Sequence, residues 1–123
     1  MNDLFAEPRF VAGIGEFNSA NFFEAHEIWE ELWNDLLDDE KRACQSLIQI
    51  AAGYHKESIG NSLGARKLLE RGLRGLAPLL PSRAWATEFR RHVAADLETL
   101  KRGAPRLSGS RPSLPSVSRS QIG

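Results

Sequence analysis

Three features of the 123-residue chain predict an all-α fold. Apolar residues recur at spacings of three and four from Phe10 to Leu100, the period of a helix. No segment shows the alternation of β-branched residues that marks a strand. Asn, Ser, Asp, Gly and Pro cluster between the periodic segments, where helices begin and end. The expected architecture is one domain over residues 1–101, with four to five helices in antiparallel hairpins forming a tetratricopeptide-like bundle, followed by a disordered tail over residues 102–123. A hydrophobic content of 41% is enough for one core.

The elements follow in order. Pro8 suits the first turn of a short helix carrying Phe10, Ile14 and Phe17 on one face, weakened by Gly13 and Gly15. Asn18 and Ser19 end it. A second helix runs from about Ala20 to Leu37. Phe22, Ala25, Trp29, Leu32 and Leu36 form one stripe of that helix, and Phe23, His26, Glu30, Trp33 and Leu37 a neighbouring one. Asp38-Asp39 supplies a turn and an N-cap for a third helix, about Glu40 to Ser58, with Ala43, Leu47, Ile50, Ala51 and Tyr54 facing the core. Gly60-Asn61 separates it from a fourth, about Ser62 to Leu76, with Ala65, Leu68, Leu69, Gly72, Leu73 and Leu76 inward. Pro78 and Pro81 end the fourth helix, and Ser82 caps a fifth, about Arg83 to Leu100. A faint internal echo at an offset of 40 sets Asn21–Glu30 over Asn61–Glu70, as two stacked hairpins would.

From Arg102 onward the chain holds six Ser, three Pro, three Gly and four Arg, with few apolar residues. Such a composition buries too little apolar surface to offset the cost of ordering, hence the expected disorder.

The formal net charge is zero, but the charges are segregated. Nine acidic residues and no Lys or Arg lie between Phe10 and Glu40, whereas Arg102–Gly123 carries four Arg and no acid. An acidic domain disfavours nucleic-acid binding and leaves only the Arg-bearing tail as a route to it. No apolar run approaches the roughly 18–20 residues of a membrane span. The N-terminus lacks the basic-then-apolar pattern of a signal peptide, so a cytoplasmic protein is expected. The lone Cys44 excludes an internal disulfide and reads as a small buried residue. His92, next to Arg90 and Arg91 on the polar side of the fifth helix, reads as surface, and Trp29 and Trp85 as core.

The stretch that carries chemistry is Phe22–Trp33. His26 and Glu30, four apart, lie one above the other on a helix, with Glu27 beside them and Trp33 one turn below Glu30, positioned to shield that face. An imidazole and a carboxylate at this spacing can converge on one divalent ion. If the second and third helices form a hairpin turning near Asp38, Gln49 comes opposite His26 and Gln45 opposite Glu30. His55 then lies roughly 7–8 Å out of level with His26. Three readings follow for His26, Glu27, Glu30, Trp33, Gln45, Gln49 and His55. They form a divalent-metal site of a binding protein or enzyme; or the acidic face docks a basic or helical protein partner; or His26 and Glu30 are a structural hydrogen-bond network with Gln45 or Gln49. Exposed apolar stripes on short helices are compatible with a homodimer.

Phe17-Asn18, Phe22-Phe23-Glu24-Ala25-His26-Glu27, Trp29-Glu30-Glu31-Leu32-Trp33, Leu47-Ile48-Gln49-Ile50-Ala51-Ala52-Gly53, Tyr54-His55-Lys56, Gly60-Asn61, Gly64-Ala65 and Leu68-Leu69 together resemble an uncharacterised prokaryotic family, domain-of-unknown-function family 309. The resemblance spans about residues 10–77. It implies a small all-α protein whose hallmark is His, three residues, Glu, two residues, then Trp or Tyr, here His26, Glu30 and Trp33. It also implies that this motif binds metal. It names no substrate, reaction or complete ligand set.

Overall fold

A computed structural model describes residues 4–76 and 84–115. Among these, a 3₁₀ turn at Leu4–Ala6 precedes five α-helices: α1 (Pro8–Asn18), α2 (Phe22–Trp33), α3 (Asp38–Ser58), α4 (Ser62–Leu76) and α5 (Ala84–Lys101). No strand occurs among the described residues, so the all-α expectation holds. Each helix packs on its chain neighbours: α1 on α2, α2 on α3, α3 on α4 and α4 on α5. The short links between α1, α2, α3 and α4 make those contacts antiparallel hairpins. Pro78, Pro81 and Ser82, expected to end the fourth helix and cap the fifth, lie outside the described residues.

Local chemistry sets the helix ends. Glu7 caps α1 by accepting from the Arg9 N–H, with Pro8 in the first turn. Ala20 has a φ of 64°, which is incompatible with helix, so α2 begins at Phe22 and not at Ala20. It stops at Trp33, short of the expected Leu37, because the Asp35 and Leu36 N–H groups bond three residues back, to the Leu32 and Trp33 carbonyls. Leu37 then serves as the extended N-cap of α3, and Asp38, Asp39 and Glu40 form its first turn, where their charges face the positive end of the helix dipole. The two aspartates therefore sit inside the helix they were expected to cap. The Asn61 side chain accepts from the Gly64 N–H and starts α4.

The core is aromatic at its centre. Phe17 lies within 6.2 Å, ring centre to ring centre, of Phe22, Trp29, Tyr54 and Phe89, and so touches four other aromatics. Trp29 is fully buried, between Phe10 and Phe17, and its Nε1–H donates to the Phe10 carbonyl at 3.2 Å. Gly13 makes this possible, since a Cβ there would lie 2.1 Å from Trp29 Nε1. Gly72 allows α4 the same closeness to α3, where a Cβ would meet Ile50 at 2.5 Å. Trp85, expected in the core, packs at its edge against Phe5, half-buried.

The segment after α5 differs from the expectation of disorder as far as Pro115. Residues 102–115 form no helix, yet they pack on the bundle, with Leu107, Pro112 and Leu114 buried. Polar groups of the bundle supply what the composition lacked. Glu57, 1% exposed, accepts from Arg106 Nε, the Leu107 N–H and Arg111 Nη2 at 3.0–3.1 Å. The Asn18 side chain exchanges two hydrogen bonds with the Leu114 backbone. Residues 116–123 lie outside the described part.

Burial opposes the charge on Glu57, but the Leu107 N–H and the two guanidinium groups outweigh it and hold this carboxyl below its ordinary range. Asp96 goes the other way: burial raises it, against a hydrogen bond from Tyr54 Oη at 2.6 Å.

Two predictions follow. Gly13→Ala forces the indole out of its slot and costs about 2–4 kcal/mol in urea unfolding. Glu57→Gln costs about 2–4 kcal/mol at pH 7 by leaving the two guanidinium groups without their carboxylate. A depressed carboxyl stabilises the fold above its ordinary range, and that contribution fades as pH falls through the native value. The gap in melting temperature between wild type and Glu57→Gln therefore narrows from pH 7 to the acid limb.

Candidate functional site

The outer face of α2 carries the one group of three or more metal-competent side chains found among the described residues: His26, Glu27 and Glu30, whose ligand atoms all lie within 4.8 Å of one another. Helical geometry explains the grouping. At about 100° per residue, Glu30 and Glu27 stand roughly 40° and 100° around the axis from His26. The buried residues Phe22, Ala25, Trp29 and Leu32 define the inward direction. His26 lies at the edge of that face and is half-buried, while the two glutamates point further out and are exposed.

Both imidazole nitrogens face carboxylates. His26 Nδ1 is 3.6 Å from Glu27 Oε1, and Nε2 is 3.3 Å from Glu30 Oε2. When protonated, the ring is flanked by two anions and closes both contacts. When neutral, one nitrogen presents a lone pair to the same space as the carboxylate oxygens. Three donors on one helix leave the remaining positions of any bound ion open to water or to a ligand.

The other sequence candidates are distributed around this cluster and do not join it. His55, on α3, is separated from His26 by Phe23: the Phe23 ring lies 5.2 Å from the His55 ring and 5.9 Å from the His26 ring. Phe23 itself is 46% exposed. Trp33 is half-buried against the core and covered by Lys41, whose Nζ stands 4.1 Å over the ring, so its indole is engaged by α3. Gln45 lines a shallow hollow with Trp33, Asp38, Lys41 and Arg42 at the α2–α3 turn. Among the described residues, no hydrogen bond joins Gln45 or Gln49 to His26 or Glu30, so the expected glutamine network is not formed. Cys44 is buried, with its thiol pushed up to about 12 by desolvation, and is no nucleophile.

A second polar group was not anticipated: Tyr54, Glu57 and Asp96, with His92. Far from lying free on the surface, His92 Nε2 is 3.0 Å from the Ser110 carbonyl and 3.7 Å from Asp96. The signal for Glu57 was present, since it falls three residues after Tyr54 on the core stripe of α3. A carboxylate there requires a buried partner.

Fold and site together define a small all-α protein with an imidazole and two carboxylates gathered on the outer face of one helix. A family model described as Domain of unknown function (DUF309) matches residues 10–68, from α1 into α4, and over this stretch, just under half of its length, the chain is similar to that family. No curated protein and no solved structure matches the chain. No helix among the described residues is long and apolar enough to cross a membrane.

The exposure of the two glutamates sets the energetic scale of the cluster. Its ion pairs are worth no more than surface pairs, so His26→Ala costs under about 1 kcal/mol in urea unfolding. A loss of several kcal/mol would instead make His26 a structural residue.

Proposed function

We propose that His26, Glu27 and Glu30 bind a divalent cation, with His26 and Glu30 as the principal ligands and Glu27 completing the set. The observation that carries this reading is the gathering of three ligand atoms within 4.8 Å of one another on a helix face. One nitrogen and two carboxylates suit zinc, manganese or iron(II) better than the soft, thiolate-seeking ions. Two anions and a neutral imidazole bring a net −2 to the site, which a dication neutralises. The half-buried imidazole fixes one donor, while the exposed carboxylates move to meet the ion.

The distances support a second reading as well. With each imidazole nitrogen facing its own carboxylate, the trio also works as a closed ion-pair network on the acidic face of a protein-interaction module.

Metal titration of chelator-treated, tagless protein separates the two. Cation binding predicts about one equivalent of zinc, manganese or iron(II) and a rise in melting temperature that grows with metal concentration. His26→Ala and Glu30→Gln abolish both effects, and Glu27→Gln weakens them. Apparent affinity falls with pH, because the proton competes for the imidazole nitrogen. Uptake below about a tenth of an equivalent with no thermal shift would sink this reading and favour the interaction module.

A further inference from the structure

The segment 104–115 is held by groups that belong to the bundle: Asn18, Glu57 and His92. It crosses a groove bordered by the C-terminal ends of α1 and α3 and by α5. Four features of the groove recognise it. The Glu57 carboxylate, 1% exposed, takes both guanidinium groups, Arg106 Nε at 3.1 Å and Arg111 Nη2 at 3.0 Å. The Asn18 amide donates to the Leu114 carbonyl at 2.9 Å and accepts from the Leu114 N–H at 2.8 Å, reading main chain and not side chain. His92 meets the Ser110 carbonyl. The apolar core receives Leu107 and Leu114.

A buried carboxylate paired with arginine, a side-chain amide paired with main-chain N–H and C=O, and sockets for apolar side chains are the groups that recognise a peptide segment. The occupant has no regular secondary structure, and Gly103, at a φ of 97°, joins it to α5. Cavities of about 520 Å³ and 440 Å³ flank it, one lined by Phe17, Phe22 and Arg111, the other by Phe89, His92 and Pro112. The segment therefore bridges the groove without filling it. Glu57 and Asn18 lie within the residues matched by the family model, whereas the segment that satisfies them lies outside.

We propose that this groove is a receptor for a non-helical protein segment carrying Arg and Leu at the spacing of Arg106-Leu107, Arg111 and Leu114, and that the chain's own segment is its resident, tethered occupant. A partner bearing such a segment binds when the resident lifts. Tethering gives the resident a high effective concentration, so the groove is closed to weak competitors. The inference is independent of the proposed cation site.

The test uses the full chain and a fluorescent peptide with the sequence of residues 104–115. Arg106→Ala/Arg111→Ala loosens the resident while leaving the groove intact. The peptide is expected to bind this variant at least roughly tenfold more tightly than wild type, and to lose about that factor when its own arginines become alanine. Binding weakens with salt. A variant that melts cooperatively and ignores the peptide overturns the proposal. So does a variant that forms a dimer in sedimentation, since a second copy then fills the groove. If the double variant does not melt cooperatively, Leu114→Ala takes its place, because it loosens the resident and keeps Glu57 paired. Failure of the peptide to bind that variant more tightly than wild type also overturns it.

Discussion

The indole of Trp29 is the point on which the first three helices depend. It enters a notch left by Gly13, lies between Phe10 and Phe17, and donates to the Phe10 carbonyl. From the same residue, the Trp29 carbonyl accepts from Cys44 Sγ on α3. One side chain and its own backbone thus fix α1, α2 and α3 relative to one another. They also fix the rotation of α2 about its axis. Once Trp29 points inward, the helical period turns Glu27 and Glu30 outward and leaves His26 at the boundary. The chemistry on the surface is a consequence of the packing beneath it.

Much of this was legible in the residues. The stripe Phe22, Ala25, Trp29 and Leu32 announced α2 and its buried face, and the i, i+4 pair His26 and Glu30 announced the cluster. Pattern failed where backbone conformation decided. Nothing in the periodicity distinguishes Ala20 or Leu37 from helix. Ala20 is excluded by its positive φ, and Leu37 becomes the N-cap that precedes the acidic first turn of α3. Pairing across the hairpin was legible only in outline. The offset of His55 from His26 was anticipated, but not the ring of Phe23 standing between them. That arrangement depends on a rotamer, which spacing does not carry.

The C-terminal segment shows a different limit. Composition measures how much apolar surface a segment can bury, and by that measure residues 102–115 should stay free. Composition does not count the polar groups that a folded body leaves waiting. Glu57 and Asn18 supply five hydrogen bonds to this segment, to the side chains of Arg106 and Arg111 and the backbone of Leu107 and Leu114. The segregation of charge also takes on a meaning here. Two of the four C-terminal arginines are committed to a carboxylate on α3, so they neutralise the acidic domain from within and are drawn away from outside anions.

Cys44 gives the molecule a property that concerns observation more than function. Its thiol is sealed beneath α2, bonded to the Trp29 carbonyl and held protonated by burial. It is the only sulfhydryl in the chain. A thiol reagent therefore reaches it only when the contact between α2 and α3 opens, so the rate of modification is a clock for that opening. The chain carries its own single-site stopwatch, placed directly behind the face that bears His26, Glu27 and Glu30.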